Sequence, residues 1–176
     1  MILSGLRIKE EVQKKNITID PFNEADINPN SYNCTLGDYI LVYENEQLDA
    51  KVPQTTKRIE IPKEGLVIES NKVYLGYTKE KFGSNIFVPT ITGRSSTGRL
   101  GLFVQITADL VDLGFIGNLT FQLHATMPVK IYKDMKLGQI MFWNVLGDID
   151  LYKGKYQDAS SPRASESWRE FIEEKK

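Results

Sequence analysis

Apolar and polar positions change rhythm once along this chain. From Ser4 to Lys15 the apolar residues Leu6, Ile8 and Val12 form a rough helical stripe behind a serine suited to cap a first turn. This predicts one N-terminal helix over residues 4–15. Beyond Asp20-Pro21-Phe22 the pattern becomes short apolar or alternating runs cut by Gly, Pro, Asn and Asp. It predicts strands at Tyr39 to Tyr43, Arg58 to Ile61, Leu66 to Glu69, Val73 to Tyr77, Ile86 to Ile91, Leu102 to Ile106, Leu119 to Ala125, Val129 to Tyr132 and Gln139 to Trp143. Many short strands at such spacing predict a mostly β fold: a sandwich, jelly roll or barrel. The stretch from Lys153 to Lys176, ending in a mixed-charge run from Glu170, is polar and poor in aliphatic residues, so it reads as a loose tail or as a lid that orders over a ligand. One domain is therefore expected, a β body over 1–152 with 153–176 as its own lid or tail.

Composition narrows the class without changing that picture. A chain of 176 residues with 41% hydrophobic content suffices for one sizeable core. Its 22 basic and 23 acidic residues are interspersed, which does not suggest a surface for a nucleic-acid polymer or a membrane. The lone cysteine, Cys34, has no internal disulfide partner, and no run approaches the roughly 18 apolar residues of a membrane span. The opening Met-Ile-Leu-Ser-Gly runs into a charged segment unlike a signal peptide, so a reducing cytoplasm is the expected compartment.

The densest polar segment is Gly93-Arg94-Ser95-Ser96-Thr97-Gly98-Arg99-Leu100-Gly101. Two guanidiniums, three hydroxyls and three glycines there can offer charge-assisted donors and let backbone amides approach an anion, which suits phosphate; an ordinary Ser/Gly turn with surface arginines is the other reading. The Gly-Lys-Ser/Thr ending of a Walker loop is missing. Further on, Asp112 precedes a glycine turn, where a carboxylate can hold a sugar hydroxyl or act on water as a general base, or simply satisfy turn amides. The strand after it alternates: Leu119, Phe121 and Leu123 share one face, while Thr120, Gln122 and His124 share a second that can line a pocket. His124 is the only histidine, better read as structural than catalytic, and the His-x-Glu and Pro-Cys-x-x-Cys pattern of zinc deaminases is absent.

Together these motifs resemble the dCTP deaminase and dUTPase superfamily from end to end. The resemblance rests on Met1-Ile2-Leu3-Ser4, Ile19-Asp20-Pro21-Phe22, Asn28-Pro29-x-Ser31-Tyr32, Leu36-Gly37, the Gly93 to Gly101 loop and Thr107-Ala108. It continues through Asp112-x-Gly114-Phe115-x-Gly117, Gly138-Gln139-Ile140 and Tyr152-Lys153-Gly154-Lys155-Tyr156-Gln157. It implies a dUTPase-like distorted β-barrel or jelly roll with a short N-terminal helix. It also implies a homotrimer with sites between subunits, and Mg2+ carried on the triphosphate with no protein ligands of its own. Arg94, Ser95 and Ser96 would meet the phosphates or the reacting water, and Arg99 would stabilise charge beside the base. Thr107, Ala108, Val111 and Asp112 would hold base and deoxyribose, while Tyr152, Lys155, Tyr156 and Gln157 would belong to a phosphate-covering lid.

Where the family's deaminases carry a proton-shuttling glutamate, this chain has Gln122. A carboxamide can position water or base but cannot take a proton at neutral pH, which removes help worth about 10² to 10⁴ in rate. The water attacking the α-phosphorus is oriented in the dUTPase branch by the aspartate that Asp112 matches. The leading expectation is accordingly a dUTP diphosphatase forming dUMP and diphosphate, with Asp112, Ser95, Arg99 and Gln122 at the reacting atoms. Beside it stand a dCTP deaminase or bifunctional deaminase-dUTPase, and a non-catalytic nucleotide-binding regulator. Gly5, where the family often has an acid, and Thr35, where bacterial deaminases often have arginine, are further departures.

Overall fold

The computed structural model describes residues 1–173; Glu174, Lys175 and Lys176 of the expected tail lie outside the described residues. In chain order the elements are α1 (Gly5–Gln13), β1 (Ile17–Asp20), a 3-10 turn (Glu24–Asp26), β2 (Ile27–Asn28), β3 (Ser31–Thr35), β4 (Tyr39–Tyr43), β5 (Thr56–Glu60) and β6 (Leu66–Ile68). They continue as β7 (Tyr74–Ser84), β8 (Phe87–Gly93), α2 (Ser95–Arg99), β9 (Leu102–Phe103), β10 (Ile116–Ala125), β11 (Val129–Ile131), β12 (Lys136–Asn144) and α3 (Trp168–Glu173). The mostly β expectation holds, and each of the nine predicted strands has its counterpart.

The larger sheet runs β5-β4-β7-β10-β9 with β1 also on β7; a second runs β2-β3-β12-β8, and β11 pairs with β6. Tyr32 and Phe142 from the second sheet and Phe82 and Phe121 from the first are fully buried in one cluster, so the core is the layer between the sheets. Burying such aromatic rings contributes on the order of 2–3 kcal/mol each. Among the described residues no helix is long and apolar enough to cross a membrane.

Three strands were not expected, and β3 shows why. Its sequence Ser-Tyr-Asn-Cys-Thr reads as polar, yet Ser31 and Asn33 are buried. Ser31 donates to Gln139 Oε1 (3.1 Å) on distant β12 and Asn33 accepts from Asn28 Nδ2 (3.1 Å) on neighbouring β2, so partners on other strands remove the penalty of burying them. The same effect hides the second half of β7. Thr78 donates to the Glu80 carbonyl (2.7 Å), and the buried Glu80 carboxylate accepts the Thr35 amide (3.0 Å). Burial pushes the Glu80 carboxyl above its ordinary range, partly offset by that hydrogen bond.

The N-terminal helix forms with Ser4 as its cap, Oγ accepting from the Arg7 amide at 3.3 Å. Its buried face differs from the predicted stripe: Leu6 is 74% exposed, and Gly5, Ile8 and Glu11 point inward. Glu11 is accommodated by Asn16 (2.6 Å), Lys14 (3.0 Å) and Arg7 (2.9 Å), the first of which leads in lowering its pKa. Gly5 is required by contact, since a Cβ there would lie 2.0 Å from the Asn28 carbonyl oxygen. An acid at this position would not fit, which explains one of the two departures noted in the sequence. Gly5→Ala is expected to lower the unfolding free energy by about 1–3 kcal/mol through overpacking, measured by urea titration; an unchanged midpoint would mean α1 shifts away freely.

Candidate active site

The site is set by the alternation of β10. Leu119, Phe121 and Leu123 enter the core as expected, which turns Thr120, Gln122 and His124 to the opposite face. A bulge at Asn118/Thr120 interrupts the pairing with β7. It is held by Asn118, whose Nδ2 donates to the carbonyls of Thr78 (2.7 Å), Lys79 (3.3 Å) and Glu80 (3.2 Å). Thr120 and Gln122 then face a cavity of about 410 Å³ that Ala108, Val111, Asp112 and Phe115 line from the other side. His124 lies outside this cavity, its Nδ1 donating to the Lys72 carbonyl at 3.1 Å, as the structural reading expected.

Asp112 opens the turn that feeds β10. The turn's backbone is satisfied without its side chain. The Phe115 amide bonds the Asp112 carbonyl (3.1 Å), the Gly114 amide bonds the Ser84 carbonyl (2.8 Å), and Gly114 takes φ +91°, where a glycine is favoured. The carboxylate is exposed, and among the described residues it has no hydrogen-bond partner. Satisfying turn amides is therefore not its task, and it is available to a ligand. Gln122 is half engaged: its carboxamide oxygen accepts the Ile106 amide at 3.2 Å, which leaves an N–H donor as the end to meet a ligand.

The C-terminal segment closes the cavity. Tyr152, Tyr156, Ala159, Arg163, Ala164 and Ser165 line it, with the Asn118 amide donating to the Ala159 carbonyl (2.7 Å) and the Arg163 amide to Thr120 Oγ1 (3.1 Å). Residues 152–165 therefore pack against this cavity. Lys155 points away from the cavity, its Nζ donating to the Glu166 carbonyl (3.3 Å) and to Glu170 (2.5 Å), and the Glu170 bond leads in raising its pKa. Gln157 spends both ends of its amide on the turn backbone at Gly114 and Ile116. Ala159, Arg163, Ala164 and Ser165 had no signal in the sequence, because nothing in a polar stretch marks which residues fold back.

The Gly93 to Gly101 segment was expected as a loop and contains α2. The buried Thr97 hydroxyl donates to the Leu137 carbonyl (3.0 Å), as does the Arg94 amide (3.2 Å), and Arg94 Nη1 donates to the Lys136 carbonyl (3.3 Å). Ser95, Ser96 and Arg99 stay exposed. None of Arg94, Ser95, Ser96 or Arg99 lines the cavity that holds Asp112 and Gln122, and Thr107 is exposed outside it as well. The chain thus presents a cavity of about 410 Å³ with an exposed carboxylate at its wall and, apart from it, an exposed surface of hydroxyls and a guanidinium.

With this geometry in view, the dCTP deaminase-like family model matches residues 2–145. Proteins named "dCTP deaminase, dUMP-forming" from Clostridium botulinum (strain Eklund 17B / Type B) and Clostridium acetobutylicum are 46% and 45% identical to the chain. They align over 97% and 98% of it and over 99% of their own lengths. A "dCTP deaminase" from Rhodopirellula baltica is 43% identical over 97% of this chain and 86% of its own. Among solved structures, the 2'-deoxycytidine 5'-triphosphate deaminase of Agrobacterium tumefaciens shares the fold, with a TM-score of 0.63 at 21% identity over 80% of this chain and 47% of that one.

Proposed function

Because the chain belongs to the dCTP deaminase-like family, we propose that it acts on a pyrimidine deoxynucleoside triphosphate and forms dUMP. The observation that carries this is the near-complete alignment with relatives named for dUMP formation from dCTP. Those names favour the deaminating route, dCTP plus two waters giving dUMP, ammonia and diphosphate, over the plain dUTP diphosphatase expected from Gln122. The diphosphatase remains as the second reading, since the cavity offers a carboxamide where deamination needs a group that can carry a proton.

In both readings the unpartnered Asp112 carboxylate orients water toward the α-phosphorus. The nucleoside occupies the cavity between Ala108, Val111 and β10, with Tyr152 and Tyr156 closing over it to exclude water. Arg94, Ser95, Ser96 and Arg99 take the phosphates. Because they lie outside that cavity, the site is completed by α2 of another copy, in keeping with the homotrimer that the resemblance implies. We place magnesium on the triphosphate, as the resemblance implies. Bound there, the ion would neutralise phosphate charge.

The test is incubation of the purified protein with magnesium and either dCTP or dUTP, with nucleotides resolved by ion exchange and ammonia assayed. Ammonia and dUMP from dCTP support the deaminating reading; dUMP from dUTP alone supports the diphosphatase. Micromolar binding without product from either nucleotide would leave a regulator.

A further inference from the structure

Deepening the reading just given, we infer that Gln157 is a positioning residue for Asp112, and not a phosphate contact of the lid. Its carboxamide reaches across the turn that carries Asp112. Oε1 accepts from the Ile116 amide at 3.2 Å and Nε2 donates to the Gly114 carbonyl at 3.0 Å. A carboxamide presents a donor and an acceptor side by side, so it completes both at once; a carboxylate in its place would lack the donor and face the Gly114 carbonyl with like charge.

The same segment takes the next carbonyl back along the turn, the Tyr152 amide donating to Leu113 at 2.8 Å. Three backbone groups between Leu113 and Ile116 therefore depend on residues 152–157. Gly114 has no room to compensate, because its positive φ places Leu151 and Tyr152 against it; a Cβ there would lie 2.9 Å from Leu151 Cβ. With no partner for the Asp112 side chain among the described residues, the turn backbone sets the position from which the carboxylate reaches the cavity. Docking of the segment and aim of the carboxylate are thus one event, read out through Gln157.

The experiment compares full-length wild type, Gln157→Leu and Gln157→Glu for dUMP formation, together with hydrogen exchange at the Ile116 amide. Both variants are expected to lose roughly 10- to 100-fold in kcat with KM within about threefold of wild type, the pattern of a misaimed group and not of a lost ligand. Ile116 should also lose its exchange protection, while Phe121 in mid-strand keeps its own. A rise in KM with kcat held would make Gln157 a phosphate contact and overturn the inference, as would unchanged kinetics. If the wild type makes no product from either nucleotide, the proposed function fails on its own. Exchange then decides the clamp: protection retained in Gln157→Leu overturns it, and protection lost sustains it.

Discussion

Asp112→Asn is expected to lower the rate of dUMP formation by roughly 10² to 10⁴-fold while nucleotide affinity stays within a few-fold of wild type. The substitution keeps the shape of the side chain and removes only its charge and basicity. Structural damage is not a competing cause, because the turn is closed by the Phe115 amide on the Asp112 carbonyl, the Gly114 amide on Ser84 and the Gln157 carboxamide. Nothing in that set uses the carboxylate. Single-turnover kinetics beside equilibrium binding of a non-hydrolysable dUTP analogue would separate chemistry from affinity. Full turnover in Asp112→Asn would remove Asp112 from the reacting water and with it the mechanism proposed for phosphate cleavage.

The second large effect is a gain. Gln122→Glu is expected to raise ammonia release from dCTP by about 10² to 10⁴-fold, the contribution usual for a positioned general acid or base. The Ile106 amide that now bonds the carboxamide oxygen at 3.2 Å would bond a carboxylate oxygen equally well, so the side chain should keep its place on the cavity wall. The other oxygen would then replace an N–H donor with a group able to accept and return a proton. Ammonia release appearing only in the variant would mean that the wild-type site stops at phosphate chemistry. Equal release from both proteins would mean that another group moves the proton, and that the loss of the glutamate is immaterial.

Much of the fold and part of the site are legible in the chain itself, for a local reason. A strand with one face in the core must alternate, so the period of Leu119, Phe121 and Leu123 placed Gln122 and Thr120 on the pocket face without reference to any other segment. The capping serine at position 4 works the same way, through atoms three residues apart. Strands β3 and the far half of β7 were hidden because their polar side chains are buried against partners dozens of residues away, such as Ser31 with Gln139 and Thr35 with Glu80. Leu6 misled because helix periodicity leaves two faces open, and the close approach of Gly5 to the Asn28 carbonyl selects between them.

What the amino-acid sequence determined by itself is the mostly β class, the capped first helix, the outward face of β10 and, through its motifs, the family. These depend on spacing along the backbone. Tertiary structure alone decided that the Asp112 carboxylate has no partner among the described residues, that Lys155 and Gln157 turn to the protein, and that α2 lies apart from the cavity. Each depends on which distant backbone groups are left to be satisfied once the sheets have packed, and spacing along a chain carries no record of that.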